Sequence, residues 1–389
     1  MGFDDCPTFT PWKTWGQGLD ISKVESPDLG AYLVRECQAL IKIANLLNRT
    51  EAIDLLENHI DRLCKAVEDT WDENASIYRY TDRDTHIGGE GEILGSGEGE
   101  FVLQLDREFD LPVRILIRTL GDDELSHAVQ VFIHGRGNRG RHRVEKLRER
   151  HFSWFWGIGS ATSEKTYVEI ERIEIRGLSD AFTTEIHIPN YTREDAGLLL
   201  PLWAGIPNGE RAKKLIQNTV LDEKRFYRTN GVANISAKDP AYEEARREGA
   251  AGIDMLRNTM LGEGLLRYGY VEKAADLVQR LMGVVVHVLK NDAAFRQSYD
   301  TDRAGGIGEK DHLAGLAPLN LFLKTLGVRF ISQDKLHVAG SNPYPWPVKI
   351  RWKGLIIDFS QERTTVEFPD GSVIEISGED QRLIERVAG

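Results

Sequence analysis

The spacing of the apolar residues changes twice along this chain, and the two changes limit the folds open to it. From Leu29, the residues Leu33, Cys37, Leu40, Ala44 and Leu47 return every three or four positions, and Ala52, Leu55, Ile60, Leu63 and Val67 do the same beyond Asn48-Arg49-Thr50. Each series puts one apolar stripe on a helix, so a helical hairpin is expected there. Between Gly88 and Glu100, glycine and repeated negative charge predict a loop. From Phe101 to about His187 the period drops to two, as in Val113–Ile117, Val129–Ile133 and Tyr167–Ile175, which is the pattern of strands with one buried face. Helical spacing resumes at Arg193. From Val328 strands dominate again, with Pro369-Asp370-Gly371 marking a hairpin. The expected parts are a first helical part over 1–87, an inserted antiparallel β-domain over 88–190, a second helical part over 191–327 and a C-terminal β-element over 328–389.

A chain of 389 residues exceeds the ~250–300 at which single cores stop growing, so more than one domain is expected. No apolar run reaches the ~18–20 residues of a membrane helix, and Met1–Pro7 has neither the basic start nor the apolar centre of a secretion signal. A soluble, cytoplasmic protein with no membrane partner is expected. The net charge of −12 argues against general nucleic-acid binding. Three cysteines, Cys6, Cys37 and Cys64, do not make a disulfide framework and suit a reducing compartment. The sequons at Asn48, Asn74, Asn190 and Asn234 matter only in a secreted chain.

The run Leu198 to Ser236 is the most informative for function. Leu198, Leu199, Leu202 and Ile206 have helical spacing up to Pro207, Asn208 is placed to cap a second helix carrying Ala212, Leu215, Ile216 and Val220, and Phe226 to Ser236 reads as extended. In order and spacing this run resembles the barrel of the six-hairpin glycosidases, the inverting group of trehalases, glucosidase-I-like enzymes and mannosylglycerate hydrolases (MGH1-like). There a Pro-Leu-Trp-Ala-Gly-like hairpin precedes a loop that ends in Ser and lines the sugar pocket. Trp71-Asp72-Glu73, Tyr78 to Asp82 and Gly264 to Gly269 also look like segments of that barrel. The resemblance covers about two thirds of the chain, excludes the β-insert, and implies a mainly α fold with β: (α/α)6-toroid-type helical hairpins plus the two β parts. A closed toroid needs about twelve helices and the pattern supplies about seven, so an incomplete barrel and a chain forming the C-terminal part of a longer enzyme are both consistent with it.

Inverting glycosidases use one carboxylic acid to protonate the leaving oxygen and one carboxylate to activate water, ~6.5–9.5 Å apart. The family's acid motif, Gly-Trp-Asp-x-Ser, resembles Gly2-Phe3-Asp4-Asp5-Cys6 and implies Asp4 as general acid. The base motif, Glu-x-Tyr-Asp/Asn, matches Gln297-Ser298-Tyr299-Asp300 with an amide in the base position. Gln297 can hold water but cannot take its proton. Hydrolysis by the family route therefore needs Asp300, Asp302 or Glu309 in that role. The resemblance also implies Trp203, Asn234, Asp254, Arg257 and Tyr299 as sugar-binding residues, although Gly249 to Asp254 lacks the family's Trp-Arg-Gly sequence. No cofactor is implied. No metal is expected either, because Asp300 and Asp302 lack the other ligands of a calcium loop.

Two further features have bland readings beside the sharp ones. Gly135 to Gly140 fits dinucleotide-binding spacing but reads as a hairpin turn, since no second parallel strand unit follows. Trp154, Phe155 and Trp156 form either a sugar-stacking face or alternate core positions. The leading expectation is inverting hydrolysis of an α-glucoside or α-mannoside with a carbohydrate as the partner. The alternatives are a non-catalytic carbohydrate-binding or truncated pseudoenzyme, favoured by Gln297, and a helical-plus-β protein with no sugar site.

Overall fold

The computed structural model describes residues 5–121, 128–361, 363–378 and 381–386. The chain divides into two compact units, one of Met1–Ile206, Lys224–Phe226 and Asn234–Ala251, the other of Pro207–Glu223, Tyr227–Ala233 and Gly252–Gly389.

In the first unit, helices α1 (Pro27–Leu46) and α2 (Ile53–Glu68) pack on each other. Pro27 opens α1 at a position where its missing N–H costs nothing. A seven-stranded antiparallel sheet follows, in the order Glu92–Glu98, Phe182–Ile188, Phe101–Gly121, Ile158–Arg176, Gln130–Arg136, His142–Arg148, with Ser153–Phe155 added on Ile158–Arg176. Ile115, Ile117, Val131, Ile133, Ile170 and Ile173 bury one face of it. Arg114 in the central strand makes a buried ion pair with Asp82, which ties the Trp71–Asp82 hairpins to the sheet. The glycine-rich Gly135–Gly140 run is the turn between two of these antiparallel strands, Gln130–Arg136 and His142–Arg148.

In the second unit, α4 (Gly209–Leu215) starts at Asn208, whose side chain accepts the Arg211 N–H. Helices α6 (Met255–Arg267), α7 (Val271–Asp292) and α8 (Leu319–Thr325) share a core with two C-terminal sheets, one of three strands and one of four. Ala275 and Val278 from α7 and Leu321 from α8 meet Leu336, Ile357 and Phe359 there. Among the described residues no helix is long and apolar enough to cross a membrane.

The expectation of a mainly α protein is corrected. Helix accounts for 31% and strand for 34% of the structure. Two strands run for 21 and 19 residues. Several helical stretches are, by contrast, cut short. The apolar run before Pro207 is a 3-10 turn, Ala196–Leu199, then a single α turn, α3 (Pro201–Ala204), stopped by the left-handed Gly205 at φ 75°.

Candidate functional site

Asp4 lies outside the described residues, but the segment after it is fixed from four sides within the first unit. Cys6 N–H donates to Thr10 Oγ1 at 2.7 Å, and Gln17 N–H to Pro7 O at 2.8 Å, closing the segment on itself. Arg118 donates to the carbonyls of Pro11 (3.1 Å), Lys13 and Gln17 (3.4 Å). Burial lowers its pKa to about 10. Glu248 receives Lys13 Nζ at 2.8 Å and Trp15 Nε1 at 3.0 Å, and Thr14 reaches Glu244. The Gln17 side chain exchanges two hydrogen bonds with the Asn190 backbone, at 2.7 and 2.8 Å. At the start of the segment, Asp5 Oδ1 accepts the Trp12 indole N–H at 2.6 Å.

Beneath it sits a fully buried carboxyl. Asp195 accepts Tyr80 Oη at 2.9 and 3.0 Å, Gly197 N–H at 2.8 Å and the Cys6 thiol. Burial, together with the charge of Asp28, raises Asp195 to about 7, and the same burial pushes the Tyr80 phenol and the Cys6 thiol up. The Phe9 ring closes the cluster edge-on against Tyr80 at 4.9 Å. A second buried network joins the same chain region. Glu194 receives Arg225 at 2.7 Å and Arg79 at 3.4 Å, and Asp239 pairs with Arg193 at 2.7 Å.

Two expected sugar-binding residues fall in this unit. Trp203 on α3 meets Tyr32 edge-on at 5.7 Å with the Arg35 guanidinium 4.8 Å over its ring, both from α1. Asn234 holds the chain path through its backbone, accepting from Ala196 N–H and donating to Ala251 O.

The second unit gathers Gln297, Tyr299, Asp300 and Glu309 on one hairpin, Arg296–Tyr299 paired with Gly306–Lys310. Arg296 faces Lys310 and Ser298 faces Ile307, so a β-bulge sets Gly308 and Glu309 together opposite Gln297. Tyr299 is buried and donates its hydroxyl to Gly315 O at 2.7 Å. Its backbone exchanges hydrogen bonds with Ile253, which brings Asp254 and Arg257 alongside the hairpin. Asp254 caps α6 by accepting Arg257 N–H at 2.8 Å, and the buried Arg257 side chain lies 3.8 Å from its carboxylate. Asp300 Oδ1 accepts the N–H groups of Asp302 and Arg303, which shapes the turn, while Glu309 is exposed. Asp302 feels burial, which raises its pKa, but the Arg228 partner at 3.0 Å overrides this and holds it below the ordinary carboxylate range.

Sequence reasoning missed the groups that hold both regions. Asn230 donates to the carbonyls of Asp300 and Arg303 at 2.9 and 2.8 Å, and the Asn258 side chain pairs with both backbone groups of Val232. The Asn230-Gly231 pair was their only visible signal. Asp28 and Asp195 gave none, and the Tyr78 to Asp82 run marked Tyr80 only as part of a barrel-like segment, because the three meet across long stretches of chain.

Residues 10–104 match the family model of the mannosylglycerate hydrolase MGH1-like glycoside hydrolase domain. That match supports the resemblance of this stretch to the MGH1-like glycosidase group. Over 98 residues it is 32% identical to the mannosylglycerate hydrolase MGH1 of Selaginella moellendorffii, covering 25% of this chain and 18% of that protein. The GH63 mannosylglycerate hydrolase of Thermus thermophilus, solved with glucose, aligns over 77% of this chain and 48% of its own, at 16% identity and a TM-score of 0.43. A sialidase structure aligns over all of this chain and 28% of its own, at 10% identity and a TM-score of 0.52, a likeness of fold. The chain thus spans under a fifth of the curated relative and about half of the Thermus enzyme.

Proposed function

We propose that the chain is a glycosidase of the inverting kind acting on an α-glucoside or α-mannoside, with Asp4 as general acid. The observation that carries this reading is the family domain at residues 10–104, which begins just downstream of Asp4. The pinned segment around Asp5 and Trp12 supports it, since an acid must be held in place to protonate a leaving oxygen. For the base, the bulge that puts Glu309 opposite Gln297 supports Glu309 as the proton acceptor, with the Gln297 amide hydrogen-bonding the water. Asp300 is committed to its turn and Asp302 to Arg228.

The test is release of monosaccharide from mannosylglycerate, trehalose, maltose and kojibiose. Wild type releases sugar from at least one. Asp4→Asn and Glu309→Gln each remove that release, and Asp300→Asn keeps most of it. Equal release by wild type and Asp4→Asn contradicts the assignment.

Gln297 favours one other reading, a carbohydrate-binding protein without turnover. On that reading wild type binds these sugars without cleaving them.

A further inference from the structure

Three aromatic side chains of the first unit stand in water as one patch. Trp12 is 37% exposed, Phe155 46% and Trp156 68%. Phe155 links the other two, with ring centroids 6.3 Å from Trp12 and 6.1 Å from Trp156. Trp154 shows how the same run looks when it serves the core: it stacks on Phe152 at 5.6 Å and meets Phe182 edge-on at 6.1 Å.

Trp156 occupies the turn between strands Ser153–Phe155 and Ile158–Arg176. Its φ is 48° and that of Gly157 is 76°, left-handed at both central positions, as in the tight hairpin turns that favour Asn and Gly. A bulky ring is disfavoured there, and this one gains little from burial. The fold alone gives no reason for tryptophan at this turn.

One polar group adjoins the Trp12 ring. The Trp12 indole N–H is bonded to Asp5. A cavity of about 200 Å³ lined by Phe9, Pro11, Asp20, His151, Ser153 and Ser160 involves the chain neighbours of Trp12 and Trp154. A pyranose presents the matching chemistry, a C–H face that lies on aromatic rings and a rim of hydroxyls that bonds carboxylates, hydroxyls and imidazole.

We propose that Trp12, Phe155 and Trp156 form a stacking platform for a pyranose ring of an oligosaccharide, an accessory subsite on the first unit. The choice of a sugar as occupant rests on the glycosidase reading; the platform itself rests on the geometry.

Calorimetric titration with maltotetraose and with α-1,2-mannotetraose tests it, with glucose as control. Wild type binds one tetrasaccharide saturably. Trp156→Gly and Phe155→Ala each weaken Kd about fivefold to tenfold, the scale of one lost aromatic contact. Glycine relieves the left-handed turn, so Trp156→Gly has an unchanged or higher Tm, and its binding loss is not a folding loss. No saturable binding by wild type overturns the platform, as does an unchanged Kd in both variants. So does a self-association that Trp156→Gly abolishes while sugar has no effect on it. Binding that survives in a chain with no hydrolytic activity keeps the platform and removes the glycosidase; hydrolysis with Kd untouched by both variants does the reverse.

Discussion

The segment Asp5–Leu19 and the hairpin Arg296–Lys310 each carry residues of one expected catalytic motif, yet they are held by opposite means. The first is pinned by the buried Arg118 of a strand, by Glu248 at the end of a short helix and by the exchange between the Gln17 side chain and the Asn190 backbone. Below it lie Asp195 and the Glu194–Arg225 pair, both removed from water. The second is shaped mostly by its own backbone, by Asn230 and by the partly exposed Arg228–Asp302 pair. Buried charges lose much when a partner is removed, whereas exposed pairs lose little. The first region is therefore expected to tolerate few substitutions at the residues that hold it. The second is expected to accept substitutions with less cost to the fold.

Four measurements sharpen or break that contrast. The largest effect is expected in turnover: Asp4→Asn lowers kcat about 10²–10⁴-fold, the usual worth of a general acid, and Asp300→Asn lowers it less than about tenfold. Next comes stability. Arg225→Met leaves a buried Glu194 with one fewer cation and costs about 3–5 kcal/mol in denaturant unfolding, while Arg228→Met costs under about 1 kcal/mol. Equal costs for the two would erase the difference between the regions.

The third concerns pH. Asp195 has a folded pKa of about 7 against about 3.9 in an unfolded chain, so between these values the unfolded state has lost a proton that the folded state keeps. Its contribution to stability is fully present below pH ~4, falls by up to about 1.4 kcal/mol per pH unit as pH rises, and is lost above about 7. Asp195→Asn removes this term, so unfolding free energies of variant and wild type shift in the variant's favour from pH 5 to pH 8. A constant difference over that range contradicts the buried, protonated carboxyl. The smallest effect is that of a cap: Asn208→Ala costs about 1 kcal/mol by loss of the bond to Arg211 N–H.

Local structure was legible where a short stretch carries its own signal. The Leu33 to Leu47 spacing gave a helix, found at Pro27–Leu46, and Asn208 was recognisable as a cap. The alternation in Val113–Ile117 and Tyr167–Ile175 gave strands, and Pro369-Asp370-Gly371 a turn, with Gly371 at φ 85°. Spacing did not show which face of a helix is covered: Leu33 and Leu40 belong to the apolar stripe of α1 and remain exposed. The balance of helix and strand was misjudged because apolar spacing over Leu198 to Ile206 says nothing of the stop imposed by Gly205, and because alternation does not reveal that two strands continue through bulges for about twenty residues. The Asp28–Tyr80–Asp195 cluster and the Arg118 clasp are products of tertiary contact, with no local pattern to find.

The central claim is inverting chemistry dependent on Asp4. Proton NMR of the first sugar released from an α-linked substrate, mannosylglycerate or trehalose, reads the anomeric outcome directly. The account predicts that the β-anomer appears first and that Asp4→Asn releases none. First release of the α-anomer, or release that Asp4→Asn leaves intact, contradicts it.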